Sequence, residues 1–192
     1  YAKWTINTYT ITIAVGQSGY GSVNTTSVTA VPYGTTIKVG SSANILSVNG
    51  TNVTATATAA TAQYSYAFSK WTQSSTTGTQ VTTTGFKVTG AITIYANFTR
   101  STRTYTVTIA VGQSGYGTVS STSVTAVPYG TKISASGGTL TIAKSTAATV
   151  TATATAQTAQ YSYAFSKWTQ SSTSGTQVTS TGFTVTGAIT IY

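Results

Sequence analysis

The sequence predicts an all-β protein made of two tandem β-sheet modules, each of about 95 residues, in an elongated array. Three observations support this prediction. The 192 residues include 48 Thr and 13 Tyr, and β-branched and aromatic side chains favour strands. Apolar and polar residues alternate with a period of two along most of the chain, and no segment has the 3.6-residue period of an amphipathic helix. Long stretches also occur twice, which is typical of a tandem array.

The repeat covers nearly the whole chain. Residues 9–15, YTITIAV, return at 105–111 as YTVTIAV, an offset of 96 residues. The block YSYAFSKWTQSST at 64–76 returns at 161–173, an offset of 97 residues. One residue has therefore been inserted within 133–161, and we expect a loop or tolerant segment there.

Turn residues divide each copy into short strands. The glycine-rich block GQSGYG at 16–21 predicts a turn, and we expect it to connect the two strands of a hairpin. The predicted strands of the first copy are Tyr9–Val15, a strand resuming near Ser22, Ser27–Val31, Val53–Ala59, Tyr64–Trp71, Thr79–Val88 with a bend at Gly85, and a last strand containing Ile92, Ile94, Ala96 and Phe98 on its inward face. We expect the second copy to repeat this map.

The first and last residues of the chain fall at the same position within the repeat. The first copy closes with AITIYANFT at 91–99, whereas the second stops at AITIY on Tyr192. The opening YAKWT aligns with YANFT at 95–99. We therefore expect residues 1–8 to be a strand that completes a preceding module, followed by one β-repeat at 9–100 and a second, with a truncated last strand, at 101–192. The residues expected to join subunits are Tyr1, Ala2, Lys3, Trp4, Thr5, Ile189, Thr190, Ile191 and Tyr192.

Three interpretations of these ends remain open. The chain is a piece of a longer array, or its copies join head to tail by completing each other's strand, or the boundary is arbitrary. Donated strands satisfy an exposed sheet edge through main-chain hydrogen bonds, and a contact of this kind that does not close into a ring produces a filament.

The order of motifs resembles a known repeat family. Each copy has an opening YTxTIAV strand, a glycine turn, VPYGT and an aromatic strand ending in FSKWT, and the first closes with AITIYANFT. This order resembles the divergent internalin-type B-repeat of bacterial and archaeal surface proteins, and most closely the repeat arrays of archaeal surface proteins. The resemblance implies a small β module, β-grasp-like in some members, that serves as a stalk or adhesive spacer at the cell surface. Family members usually carry acidic residues, so this chain departs from the family where calcium or receptor contacts would be inferred.

The chain lacks the side chains on which most enzyme chemistry depends. It has no Asp, Glu, His or Cys. General acid–base catalysis requires a group whose pKa can be brought near the working pH, and calcium and zinc sites require carboxylate, imidazole or thiolate ligands. Lys70 and Lys167 remain as candidates for a Ser–Lys dyad, but a strand Lys beside an aromatic residue is the simpler interpretation. We therefore expect no enzyme activity, no metal and no cofactor.

The charge pattern also limits the partners. The net charge of +9 comes from scattered Lys and Arg residues, whereas a nucleic-acid binder concentrates its charge in a patch. No apolar run approaches the ~18 residues of a membrane span. We expect neither nucleic acid nor a membrane span, and the chain itself is the expected partner. No signal peptide is visible, so secretion requires one that is removed before this numbering begins.

The missing carboxylates suggest a hypothesis about the environment. Carboxylates lose their charge as the pH falls through about 4, and the ion pairs that they make are then lost. A chain without them keeps its charge in acid, as a protein in an acidic or variable external medium would require. Compositional drift in a Thr- and Ser-rich repeat explains the same observation.

Two kinds of carbohydrate site are expected. Sequons for N-glycosylation occur at Asn24, Asn49, Asn52 and Asn97. The first three lie in predicted turns or loops, and Asn97 is expected to point outward. Trp71 and Trp168, on the strand face opposite Tyr66 and Phe68, are the candidates for stacking on surface glycans, although such aromatics also cover small cores.

The sequence thus predicts an extracellular structural protein, a subunit or segment of a cell-surface stalk, pilus or filament joined head to tail by strand completion. The alternative is an adhesin module that binds glycans or another cell surface. The two copies differ most at 37–62 and 133–159, where we would expect a binding site of that kind.

Overall fold

A computed structural model describes all 192 residues and confirms the all-β prediction, with 17 strands and no helix. No segment therefore forms a helix that is long and apolar enough to cross a membrane. The chain divides into two compact units, Tyr1–Ser101 and Thr102–Tyr192.

The first unit contains nine strands in two sheets. They are β1 (Thr8–Val15), β2 (Gly21–Val23), β3 (Ser27–Pro32), β4 (Thr36–Val39), β5 (Ile45–Val48), β6 (Thr51–Ala57), β7 (Tyr64–Gln73), β8 (Phe86–Lys87) and β9 (Ile92–Thr102). One sheet has the order β3-β1-β9-β7, and the other has the order β2-β6-β5-β4-β8. In the first sheet β1 is antiparallel to β3 and parallel to β9.

Both sheets of the first unit contribute to one core. Ile11 and Ile13 of β1 are buried, as their alternation with Thr predicts. The inward face of the last strand is also confirmed, because Ile94, Ala96 and Phe98 of β9 are buried and Ile92 packs against them. The second sheet adds a buried set made of Ile37, Leu46, Val48 and Val53.

The predicted hairpin across GQSGYG is wrong. Strand β1 pairs with β3 and β9, whereas β2 pairs with β6 of the other sheet. The glycine-rich segment therefore carries the chain from one sheet to the other, and Gly19 has the positive φ of 79° that favours glycine. The predicted strand Thr79–Val88 is also shorter than expected, because only Phe86 and Lys87 form a strand there.

The second unit contains eight strands. They are β10 (Thr104–Ile109), β11 (Gly117–Val119), β12 (Ser123–Pro128), β13 (Lys132–Ser136), β14 (Thr139–Ile142), β15 (Ala148–Ala154), β16 (Phe183–Thr184) and β17 (Ile189–Ile191). Its sheets have the orders β12-β10-β17 and β11-β15-β14-β13-β16, which match those of the first unit except that β7 has no counterpart.

The missing strand corrects the expectation that the second copy repeats the first. Residues 161–170 have the same sequence as Tyr64–Gln73, yet only Thr169 and Gln170 make isolated β-bridges. Strand β7 lies beside β9 in the first unit, whereas β17 ends at Ile191. The segment 161–168 therefore has no neighbouring strand to pair with.

The two units differ again where the sequences diverge. In the first unit a five-residue loop at 40–44 connects β4 to β5, and a tight turn at Asn49 and Gly50 connects β5 to β6. In the second unit the order is reversed, with a tight turn at 137–138 and a longer loop at 143–147. The loop expected within 133–161 is therefore only partly correct, because β14, β15 and nearly all of β13 lie in this range.

The outer edges of the sheets, apart from β7 and β17, are poor templates for pairing. Edge strand β3 contains a bulge with Ala30 at a φ of 54°, and β12 repeats it with Ala126 at 53°. Edge strands β2 and β8 have only three and two residues. Bulges and short strands protect sheet edges from other chains.

Candidate strand-accepting groove

The first half of β9, up to Ala96, lies between β1 and β7 in the first unit. Val15 of β1 pairs with Ala96, and the amide of Gly16 donates to the Ala96 carbonyl at 2.8 Å. On the other side, the Ser74 amide at the end of β7 donates to the Thr93 carbonyl at 2.8 Å. The backbone of β9 is therefore held from both sides.

The side chain of Phe98 fills the space beneath this part of the sheet. Phe98 is 3% exposed, and its ring packs edge-on against Phe68 with the centroids 5.7 Å apart. Phe68 in turn contacts Trp71 at 5.4 Å. Gly21 faces the Phe98 ring so closely that any side-chain carbon at this position would overlap the ring. Glycine at position 21 is therefore what allows an aromatic ring to fit.

Polar side chains fix the register of the same segment. The Gln17 Oε1 accepts a hydrogen bond from the Phe98 amide at 2.7 Å, and its Nε2 donates to Asn97 Oδ1 at 3.3 Å. The Asn97 Nδ2 donates to Thr72 Oγ1 at 2.9 Å. Asn97 is only 4% exposed, so these bonds satisfy a polar group that would be costly to bury alone.

A cation–π contact covers the outer end of β9. The Arg100 guanidinium lies over the rings of Tyr64 and Tyr20, 4.2 Å and 5.1 Å from their centroids. Arginine stacked on aromatic faces is favourable even at exposed sites.

The second unit has an open groove at the place that corresponds to residues 96–100. Strand β17 ends at Ile191, and the next residue, Tyr192, exchanges two main-chain hydrogen bonds with Thr169 at 2.8 Å and 2.9 Å. Beyond this pair no strand lies between the end of β10 and residues 161–167. The groove has a volume of about 320 Å³, and Phe165 and Trp168 form part of its wall.

The lining of this groove is nearly the same as the surroundings of β9. Every lining residue has the same type at the corresponding position of the first unit, except Thr118, which corresponds to Ser22. The contact of Phe165 with Trp168, at 5.5 Å, repeats that of Phe68 with Trp71. The second unit thus has a preformed site for a strand like β9.

The exposure of the residues around the groove also differs between the two units. Val15, Gly16, Gln17, Tyr20, Tyr64 and Lys70 are half-buried, whereas their counterparts Val111, Gly112, Gln113, Tyr116, Tyr161 and Lys167 are exposed. Tyr116 and Tyr161 expose 55% and 56% of their surface. Large exposed apolar groups that cluster around a groove are typical of an interaction site.

The segment that aligns with residues 95–101 is unpaired except at Asn7, whose carbonyl accepts a hydrogen bond from the Tyr33 amide at 2.8 Å. Residues 1–7 form no strand, and Trp4 and Ile6 expose 92% and 70% of their surface. Of the residues expected to join subunits, Tyr1 to Thr5 therefore lie outside any sheet of the first unit. Ile189, Thr190 and Ile191 form β17 of the second unit, with Tyr192 next to the groove.

The predicted glycan-stacking residues are wrong. Trp71 and Trp168 are 1% and 2% exposed and belong to the two cores. Strict alternation fails in β7, because Trp71 and Thr72 are both buried, and Trp71 therefore contacts Phe68 instead of lying on the opposite face. Neither tryptophan can stack on a glycan in solution.

The predicted outward position of Asn97 is also wrong, because its side chain is buried and hydrogen-bonded. The other sequons are accessible. Asn49 and Asn52 are exposed around the turn between β5 and β6, and Asn24 is exposed with its Oδ1 accepting from the Thr54 amide at 2.8 Å. Glycosylation of these three residues stays a prediction.

Sequence reasoning missed the most specific residues of the site, Gln17 and Gly21 with their counterparts Gln113 and Gly117. The block GQSGYG that contains the first pair returns unchanged in the second copy. A turn alone would tolerate other residues at the Gln position. The unchanged Gln in both copies was therefore the sequence feature that could have indicated a specific contact.

No protein-family model matches the chain, and neither a curated protein nor a solved structure matches it.

Proposed function

We propose that this chain is an extracellular structural repeat protein whose copies join head to tail by strand completion. Residues 2–6 of one copy enter the groove in the second unit of the next copy, continue the line of β17 past Tyr192 and pair with residues 161–167. One observation carries the proposal: the groove repeats the surroundings of β9, and the segment that aligns with β9 is exposed elsewhere in the same chain.

Main-chain hydrogen bonds supply part of the binding energy in this arrangement. The amide of Gly16 donates to the Ala96 carbonyl, whereas its counterpart Gly112 is exposed at the groove. A strand added beside β10 would satisfy this donor and would also pair with residues 161–167. Extended segments bind sheet edges in this way, with pockets for alternate side chains providing specificity.

The geometry of the contact favours a polymer. The donor segment belongs to the first unit and the groove belongs to the second, so each copy uses two different surfaces. A heterologous contact of this kind produces a filament unless its rotation closes a ring. A stalk, pilus or filament at the cell surface is the role that fits such a polymer.

The candidate glycan-binding residues of the adhesin alternative, Trp71 and Trp168, are both buried. The hairpins at 37–62 and 133–159, where the copies diverge, carry no feature that points to a ligand. We therefore favour the structural role.

Electron microscopy and light scattering of the purified chain would test this proposal. We expect filaments or rings of many copies in the intact chain. A variant that lacks residues 1–7 should remain monomeric, with an unchanged far-UV circular dichroism spectrum. If the intact chain is monomeric at high concentration, or if it continues past Tyr192 in its native form and fills its own groove, strand completion between copies is wrong.

A further inference from the structure

The exposed aromatic residue of the donor segment has a specific counterpart in the first unit. We infer that Trp4 anchors the contact between two copies and occupies, in the groove of the next copy, the position that Phe98 occupies in the first unit. This inference rests on the proposed function. Ile6 takes the place of Arg100, over the exposed tyrosines of the groove. The partner is a second copy of this chain.

The alignment of the donor segment gives this register. Tyr1 aligns with Tyr95, a position that Tyr192 already fills in the acceptor, so the donated strand begins at Ala2, which falls at Ala96, with Trp4 at Phe98. Ala96 is fully buried, so only a small residue fits there, and Ala2 is small. Side chains two residues apart share a strand face, so Ala2 and Trp4 enter the groove together.

The floor of the groove accepts a large aromatic ring. In the first unit the Phe98 ring lies directly on Gly21 and against Phe68. Gly117 and Phe165 repeat these two residues and both line the groove. Tryptophan in this place buries a large apolar surface, and aromatic anchors in central pockets dominate the affinity of many interfaces.

A glutamine next to the groove fixes the register. The Gln17 Oε1 accepts a hydrogen bond from the Phe98 amide, and Gln113 is exposed at the same position of the groove. Gln113 would therefore accept the Trp4 amide. A slip of one residue would turn Trp4 toward solvent and break this bond, which specifies one register.

The contact at the outer end of the strand differs between the first unit and the proposed contact between copies. Within the first unit, Arg100 stacks on Tyr20 and Tyr64. Ile6 would instead lie on Tyr116 and Tyr161 and cover their exposed rings. The proposed contact between copies is therefore apolar at this position, whereas the first unit has a cation–π contact there.

A peptide-binding experiment tests the anchor separately from the polymer. The acceptor is the chain that lacks residues 1–7, and the probe is a fluorescent peptide with the sequence of residues 1–8. We expect saturable binding, and the Trp4→Ala peptide should bind roughly a hundredfold more weakly or worse, as large aromatic-to-Ala changes in cores imply. The Trp4→Phe peptide should bind within about tenfold of the original, because Phe98 fills a groove with nearly the same lining.

The acceptor variant Gln113→Ala tests the register contact. It should weaken peptide binding roughly tenfold, the effect of losing one hydrogen bond. Its matched control is Gln63→Ala, an exposed glutamine in the first unit outside the groove, which should bind like the original acceptor.

The outcomes distinguish the two proposals. If the peptide binds and the Trp4→Ala peptide binds equally well, strand completion stands and the anchor is wrong. If no peptide binds and the intact chain is also monomeric, the proposed function itself is wrong. Equal binding to the Gln113→Ala acceptor would contradict the register.

Discussion

Phe98 and Trp4 are aromatic residues at aligned positions with opposite surroundings. Phe98 is 3% exposed in the first unit, whereas Trp4 exposes 92% of its surface. The difference arises from the neighbours and not from the side chains, because Phe98 packs on Gly21 and Phe68 within the first unit and Trp4 lies outside any sheet. The pair therefore separates a residue that stabilises the fold from one that the proposed assembly would use.

We expect Phe98→Ala to destabilise the first unit by about 3–5 kcal/mol, because it leaves a cavity against Gly21 and Phe68. Trp4→Ala should leave the thermal unfolding of the unassembled chain unchanged, because its side chain has no buried contacts to lose. Differential scanning calorimetry at a concentration too low for assembly would measure both. A large loss of stability in Trp4→Ala would contradict the exposed position of Trp4.

Single residues were the least predictable part of the site. Alternation correctly identified the buried face of the last strand, since a period of two follows from the pleat itself. It failed for Trp71, where the strand is irregular, and for Asn97, which is buried because Gln17 and Thr72 satisfy its amide. Hydrogen-bond partners that lie 25 and 80 residues away leave no local pattern in a sequence.

At the scale of elements, residues 64–73 and 161–170 provide an internal comparison. Both have the sequence YSYAFSKWTQ, but the first forms β7 and the second forms no strand. Local preference is identical in the two segments, so the neighbouring strand β9 decides between them. Strand preference reflects packing against cross-strand neighbours more than an intrinsic backbone tendency.

Amide hydrogen exchange should therefore differ between these identical segments. In the unassembled chain we expect slow exchange in 64–71, where β9 protects the amides, and fast exchange in 161–167. If copies join as proposed, both should be slow in the assembled form, because a donated strand would pair with the second segment. Peptide-resolved mass spectrometry would measure both segments in one sample, and equal protection before assembly would contradict the structure.

The same comparison shows how far sequence can predict the fold. The repeat and the two-residue period were sufficient for the all-β class. The order of the strands was not, because GQSGYG reads as a hairpin turn although it connects two sheets. A glycine turn fixes the local backbone and leaves the pairing partner to long-range contacts. The resemblance to internalin-type B-repeats stays a prediction.

For the whole molecule, the missing acidic side chains have a direct effect on stability. A carboxylate whose pKa is lowered by folding contributes stability that is lost as the pH falls through that pKa. This chain has no Asp or Glu, and no His that could gain a proton. Its folded and unfolded states therefore bind the same number of side-chain protons from strong acid to near neutrality.

We expect the midpoint of thermal unfolding to change by only a few degrees between about pH 2 and pH 7, since ΔG of unfolding has no slope where proton binding is equal in both states. Circular dichroism melts of the variant that lacks residues 1–7 would measure this without the effect of assembly. A loss of many degrees at low pH would contradict the prediction.

The parallel pairing of β1 with β9 has a mechanical consequence. These are the first and last strands of the first unit, and they run side by side in the same direction from Ile11 with Ile92 to Val15 with Ala96. Tension that pulls the start of β1 away from the end of β9 slides one strand along the other. The hydrogen bonds between them then carry the load together and do not open one at a time, as they would if a hairpin were peeled apart. Strands β10 and β17 have the same relation in the second unit, so each unit by itself resists tension applied between its first and last strands.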